Sequence, residues 1–407
     1  MSMVGKMQRE ILHVDVNNAF LSWLAVYKLE QGESLDIRTI PAVIGGDEKQ
    51  RHGIVLAKSN LAKQFGIKTG EPLYSARKKC PTIKIYESNF KVYKKYSDML
   101  FELLQEYSFK IERFSIDECF IDMTEFLNNR KLIDVAYEIS KRVREELKFT
   151  VNIGVAHNKL LAKMASDFQK PNRVHTLYEK EIPRKMWNLP ISELFMVGRR
   201  TLPKLYNMNI KTIEDLAKTD KNLLIKKFGK FGKVMWEYAN GIDDSEVNYL
   251  KQKPKGVGNS TTVSQDITNI EKIEEVLLAL TEHTTYRLRK HNMLGNVVSV
   301  QLRTSDFKNY SHQRKLNFST NSTKEIFKTA KELVRQLYNN EPIRLIGIRI
   351  DNLCEEEEKQ ISLFEDVNIK KQEKLDKVVD NIKDKFGYEM ITRAGDMKQT
   401  KNINRKD

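Results

Sequence analysis

Residues 11–18 read Ile11-Leu12-His13-Val14-Asp15-Val16-Asn17-Asn18. The first six alternate in the manner of a strand, and the two asparagines then open an apolar-periodic run through Phe20, Leu21, Leu24 and Leu29. This is a strand passing into a helix, with a carboxylate near the strand's end. A second strand-like run, Lys110 to Met123, carries Phe114, Ile116, Phe120 and Ile121 and is interrupted by the adjacent acids Asp117 and Glu118, which mark a hairpin tip. If the two strands pair in one sheet, Asp15 meets Asp117 and Glu118. Three carboxylates with no nearby base repel one another unless a cation neutralises them, and hard oxygen donors select Mg²⁺ over zinc. Two such ions would serve phosphoryl or nucleotidyl transfer.

The surrounding pattern alternates strands with helices. Short strands are expected at Ala42 to Ile44 and Gly53 to Ala57, and helices over Phe90 to Tyr107 and Leu132 to Leu147. A strand at Thr150 to Ala156 and a helix at Lys159 to Phe168 follow, which makes an α/β core. From Pro183 to Tyr249 short helical pieces are punctuated by Gly198, Gly229, Gly232 and Gly241, the texture of a small helical domain. The charged stretch at residues 251–256 reads as a linker. Beyond it, helices near Ile270 to His291 and Thr323 to Tyr338 lie among strands at Val297 to Arg303, Arg314 to Phe318 and Ile343 to Ile350, a second α+β domain. Four acids, Glu355 to Glu358, end it, and a tail stripe of Leu375, Val378, Val379, Ile382 and Phe386 should dock on a neighbouring surface.

Composition narrows the class. The 407 residues exceed one ordinary core, so several domains are expected. No apolar run approaches the roughly 18 residues of a membrane span, and the first residues lack a secretory apolar segment, so a cytoplasmic protein is expected. Cys80, Cys119 and Cys354 are scattered, which disfavours a disulfide framework or structural zinc. The net charge is +15, of which residues 181–350 carry +11, a balance that commonly serves a polyanion.

Three runs together resemble the successive palm motifs of Y-family DNA polymerases: His13-Val-Asp15-Val-Asn-Asn-Ala-Phe20, Phe114-Ser-Ile-Asp117-Glu118-Cys-Phe-Ile-Asp122, and Gly154-Val-Ala-His-Asn158-Lys159 through Lys170-Pro-Asn172. The resemblance runs from about residue 10 to 350 and implies a multidomain α/β and α+β right-hand polymerase. Its implied parts are a palm at 1–22 and 88–180, fingers at 23–87 and a helix-hairpin-helix thumb at 181–250. A little finger at 257–354 follows the 251–256 linker, and 355–407 hold an acidic segment, a clamp-binding peptide and a helical tail. It implies a bacterial, cytoplasmic and monomeric lesion-bypass polymerase that adds dNTPs to a primer on template DNA.

By the same resemblance Asp15 and Asp117 would bridge two Mg²⁺ ions, Glu118 would complete the site that activates the primer hydroxyl, and the Val16 carbonyl would ligate the nucleotide-bound ion. Phe20 would be the steric gate against a 2′-hydroxyl. Asn18, Ala19 and Lys170 would contact the nucleotide, with Lys170 on the triphosphate. Asn60 and Lys63 stand where the family has a Tyr and Arg pair, so the bidentate guanidinium fork is lost while the charge is kept. In the thumb, Met196 replaces a usual glycine, and Phe228-Gly-Lys-Phe-Gly232 resembles a second hairpin. Gln360-Ile-Ser-Leu-Phe364 resembles the bacterial sliding-clamp-binding pentapeptide, with Gln360 making polar contacts and Leu363 and Phe364 filling an apolar pocket. Two other readings use the same features: a two-metal nuclease, and a non-catalytic relative that binds DNA and clamp.

Overall fold

The computed structural model describes residues 8–46, 53–250, 253–355, 367–387 and 390–391. The clamp peptide with Gln360, Leu363 and Phe364 lies outside the described residues. The chain divides into two compact units, one formed by residues 1–45 and 55–251, the other by 46–54 and 252–407.

The first unit opens with β1 (Ile11–Val16) and α1 (Ala19–Glu30). A small sheet follows, with β2 (Ala42–Gly45) pairing antiparallel to β3 (Val55–Lys58), then α2 (Asn60–Gln64), α3 (Leu73–Lys79) and β4 (Lys84–Glu87), which runs parallel to β2. The long α4 (Phe90–Gln105) returns the chain to the hairpin of β5 (Ile111–Arg113) and β6 (Glu118–Asp122). After α5 (Leu132–Glu146) come β7 (Val151–Ala156), α6 (Lys159–Asp167) and β8 (Val174–Thr176). The principal sheet has the order β5-β6-β1-β7-β8, so β1 lies between two antiparallel neighbours.

All six residues of β1 are buried, His13 and Asp15 among them, because each sheet face is covered. Leu12, Val14 and Val16 join the core against α1, α4 and α5. Ile11 faces the other way, into a core shared with α6, and His13 and Asp15 follow it by the two-residue period. The α6 backbone sits very close to the sheet at Gly154, where a Cβ would stand 1.8 Å from the Ala162 carbonyl oxygen. Glycine is therefore required there if α6 is to press its side chains into the sheet.

The same unit ends in short helices: α7 (Ile182–Lys185), α8 (Leu202–Tyr206), α9 (Ile213–Lys218), α10 (Lys221–Phe228) and α11 (Lys230–Ala239). At Gly232 a Cβ would meet the Leu224 carbonyl oxygen at 2.1 Å, so α10 and α11 touch backbone to backbone. Met196 adopts φ +71°, the left-handed conformation that glycine takes without strain.

The second unit holds β9 (Gly256–Ile267), α12 (Ile270–Lys290), β10 (Met293–Thr304), β11 (Asn309–Thr320), α13 (Thr323–Leu337), β12 (Ile343–Glu355) and α14 (Val367–Phe386). Its antiparallel sheet has the order β11-β10-β12-β9, and α12 and α13 contribute to one core with it. The tail docks differently from the expected apolar stripe. Leu375, Val378 and Phe386 are exposed, whereas Asp376 and Lys383 are buried. Asp380 receives both Nε and Nη2 of Arg289 at 2.5 and 2.9 Å, and Asp376 accepts the Thr323 backbone N–H at 3.2 Å. The reason lies on α12, whose buried residues include Thr281, Glu282 and Thr285: a polar face is met by a polar helix edge.

Candidate active site

In the β1–β6 register, Asp15 stands directly opposite Glu118 and His13 opposite Phe120. Cross-strand partners share a face, so both carboxylates point to the side that α6 covers. Asp117 precedes Glu118 in the turn, and its carbonyl oxygen accepts the Val16 N–H at 3.1 Å, which ties the hairpin tip to the end of β1. The Asp117 carboxylate accepts a hydrogen bond from the Ser115 hydroxyl at 2.6 Å. Asp15, far from the hairpin in the chain, thus lies beside Glu118, with the Asp117 backbone tied to Val16.

They are not without a base, and here the expectation is corrected. Lys163, on the buried side of α6 and only 7% exposed, places its Nζ 3.0 Å from Glu118 Oε1, 3.6 Å from Asp15 Oδ2 and 3.2 Å from Asp167 Oδ2. Lys170 Nζ lies 2.6 Å from Asp15 Oδ2 and 2.8 Å from Asp167 Oδ1. The repulsion between Asp15 and Glu118 is met by two ammonium groups. Among the described residues no three His, Cys, Asp or Glu side chains form a ready cation cage. The donor chemistry nevertheless fits a hard divalent ion, since Asp15 and Glu118 offer carboxylate oxygens.

The electrostatics follow from burial. For Glu118, burial opposes ionisation, yet His13 and then Lys163 outweigh it and hold the carboxyl down to about 2. His13 is itself fully buried, and burial lowers its pKa, so it stays neutral at physiological pH. Its Nε2 is 3.5 Å from Glu118 and makes no hydrogen bond, while Nδ1 pairs with the Ser166 hydroxyl at 2.8 Å. Lys163 is therefore the effective cation. Asp15 is shifted upward because burial outweighs Lys170 and Lys163, whereas Lys170 is shifted upward because Asp15 and Asp167 outweigh its burial. The two directions pull oppositely on one pair, and the 2.6 Å contact favours the ionised ammonium–carboxylate form.

The remaining candidates surround this cluster. Phe20, half-buried near the start of α1, stacks on Tyr93 with ring centroids 4.4 Å apart and 7° between planes, so its orientation is fixed. Ala19 is buried at the first position of α1. Asn18 precedes it in a left-handed conformation, and its amide donates to Asn60 Oδ1 at 3.2 Å, joining this corner to α2. Lys63 is exposed on α2. Lys58, which the sequence reading did not single out, is close enough for its pKa to be lowered by burial and then by Lys63. Lys58, Lys63 and Asn60 form a cationic and amide corner with the donors a polyphosphate needs.

Lys163 is the principal residue missed from sequence. One signal existed: it lies seven residues before Lys170 and four before Asp167 on a helix whose buried face was legible. Tyr93, which sets the Phe20 ring, carried no signal beyond helical periodicity.

Comparison with known proteins agrees along the chain. The profile of the impB/mucB/samB family matches residues 14–167, that of its C-terminal domain residues 254–363, and a DNA polymerase-iota thumb-domain profile residues 192–243. DNA polymerase IV of Clostridium acetobutylicum is 48% identical over 388 residues, covering 95% of this chain and 98% of the relative. DNA polymerase IV of Acetivibrio thermocellus is 36% identical over 98% of this chain and 100% of the relative. The fold is similar to that of a solved Y-family DNA polymerase chimera of Dbh and Dpo4, with a TM-score of 0.75 and 24% identity over 84% of this chain and 98% of that one. No helix among the described residues is long and apolar enough to cross a membrane. With Asp15 and Glu118 paired on one sheet face and the family matched across both units, the chain belongs to the Y family of DNA polymerases, the impB/mucB/samB family.

Proposed function

We propose that this chain is a template-directed DNA polymerase that extends a primer 3′-hydroxyl with dNTPs at low fidelity and across damaged templates, using Asp15, Asp117 and Glu118 to hold two Mg²⁺ ions. The observation that carries the reading is the direct cross-strand pairing of Asp15 with Glu118, with Asp117 one residue away. Ions held there would supply activation of the attacking hydroxyl and neutralisation of charge on the departing pyrophosphate. The protein's own part is positional. Glu118, kept ionised by Lys163, and Asp15, beside Lys170, are acceptor groups at the pH of the cell. Lys170, whose side chain is 36% exposed, can leave Asp15 for the triphosphate, and the corner of Lys58, Asn60 and Lys63 offers further donors.

Phe20, stacked on Tyr93, presents a ring of fixed tilt to the sugar, so a 2′-hydroxyl would meet a surface that cannot rotate away. Replacing it with Ala should raise ribonucleotide incorporation relative to deoxynucleotide, and unchanged sugar discrimination would remove Phe20 from this role. The Gln360-Ile-Ser-Leu-Phe364 peptide supports capture by a bacterial sliding clamp, with the chain otherwise acting as a monomer.

Primer extension on undamaged, abasic and photoproduct-bearing templates, with Mg²⁺ and with or without dNTPs, tests the reading. Growth of the primer across the lesions, dependent on dNTPs, is expected. Shortening of the DNA without dNTPs would identify a nuclease, and arrest at every lesion would leave a polymerase without bypass.

A further inference from the structure

Lys163 occupies the position that distinguishes this cluster from a bare set of metal ligands. It is buried on α6, which the missing side chain at Gly154 brings against the sheet, and it touches Glu118, Asp15 and Asp167 at once. Lys170 touches Asp15 and Asp167 but has 36% of its side chain exposed, against 9% for Lys163. Asp15, Glu118 and Asp167 facing two ammonium groups leave these ion pairs a net charge of −1, with Asp117 outside them. A divalent cation approaching it meets a resident positive charge within a few ångströms of both Asp15 and Glu118, in partly desolvated surroundings where repulsion is weakly screened.

We infer that Lys163 is a built-in counter-ion that keeps Asp15 and Glu118 aligned and holds divalent-cation affinity low until a nucleotide triphosphate arrives. The inference rests on the reading of Asp15 and Glu118 as cation ligands. An incoming triphosphate does two things to the cluster. It attracts the exposed Lys170 away from Asp15, and it brings its own negative charge to the same place. Lys163, enclosed by α6 and the sheet, remains. The enclosed ammonium of Lys163 therefore opposes a divalent ion at Asp15 and Glu118 until the triphosphate adds its own negative charge. Lys163 is a positioning residue here, acting through the carboxylates and not on the reacting atoms.

Direct Mn²⁺ binding to the full chain, followed by electron paramagnetic resonance with neither DNA nor nucleotide, tests this. Wild type should bind weakly, Lys163→Met about tenfold more tightly, and Lys163→Arg, which keeps the charge, like wild type. Unchanged or weaker binding by Lys163→Met overturns the inference, as does equal tightening by Lys163→Arg. Because the Met variant leaves two acids facing each other, thermal unfolding is measured alongside. A Lys163→Met protein stabilised by Mn²⁺ well beyond wild type supports the counter-ion role, and one that stays unfolded with or without Mn²⁺ overturns it. A further arm adds primer-template and a non-incorporable dNTP to wild type and to Asp15→Asn. Mn²⁺ binding that Asp15→Asn leaves intact would overturn the ligand assignment itself. Binding lost in Asp15→Asn, with Lys163→Met unaltered without nucleotide, would overturn only the role of Lys163.

Discussion

Two buried charge clusters in this protein use the same chemistry to opposite ends. In the second unit, Arg289 grips Asp380 through two nitrogens and lies 3.7 Å from Asp376, and Lys383 lies 3.5 Å from Glu282. That cluster fixes α14 to α12 with a planar guanidinium fork, whose geometry specifies one arrangement. At the candidate active-site cluster the cations among the described residues are lysines. Lys163 and Lys170 are point charges that meet carboxylates without a directional fork, so one of them can be exchanged for another cation at modest geometric cost. The α12–α14 cluster thus has a directional fork beside its Lys383 contact, and the Asp15–Glu118 cluster has lysine contacts without one.

The largest stability effect should come from breaking the fork. Arg289→Met leaves Asp376 and Asp380 without it, at a cost of about 3–5 kcal/mol, and hydrogen exchange should show α14 opening first while primer extension on undamaged DNA persists. If the loss is below about 1 kcal/mol, the fork is not what holds the tail.

A smaller effect is expected at the lysine cluster. Glu118→Gln removes a carboxyl held at about 2, below its ordinary value of 4.5. A depressed carboxyl stabilises the fold above its unfolded pKa, and that stabilisation is lost as the pH falls from 4.5 through about 2. The variant should therefore lie about 2 kcal/mol below wild type at pH 7 without divalent cations, and the two should converge under acid. A gap independent of pH would point to packing and not charge.

The smallest should be Lys170→Ala. Removing a partly exposed ammonium should change stability by about 1 kcal/mol or less, with Lys163 still beside Asp15, while the KM for dNTP rises. A large stability loss with an unaltered KM would make Lys170 a structural cation like Arg289.

What could be read from the sequence follows the same division. β1 and the acidic hairpin were legible because a two-residue period fixes which side chains share a face, and two adjacent acids cannot sit in a strand interior without marking its end. The gathering of Asp15 with Glu118 then needed only the assumption that the strands pair. Lys163 was not legible, since its contact with both acids depends on how closely α6 approaches Gly154, which is a property of packing. The tail misled for a related reason. Its apolar stripe promised a hydrophobic seat, but the available face of α12 offered Glu282 and Arg289, and charge complementarity turned Asp376 and Lys383 inward instead. Met196 shows the reverse case, where a substitution seen in sequence marks a real backbone demand at φ +71°.

The account depends on the Asp15–Glu118 face being where nucleotides are joined. Single-turnover primer extension by Asp15→Asn, with primer-template affinity measured in parallel, tests it most directly. The expected result is a rate lower by about a thousandfold or more with DNA binding unchanged; extension within a few fold of wild type would contradict it.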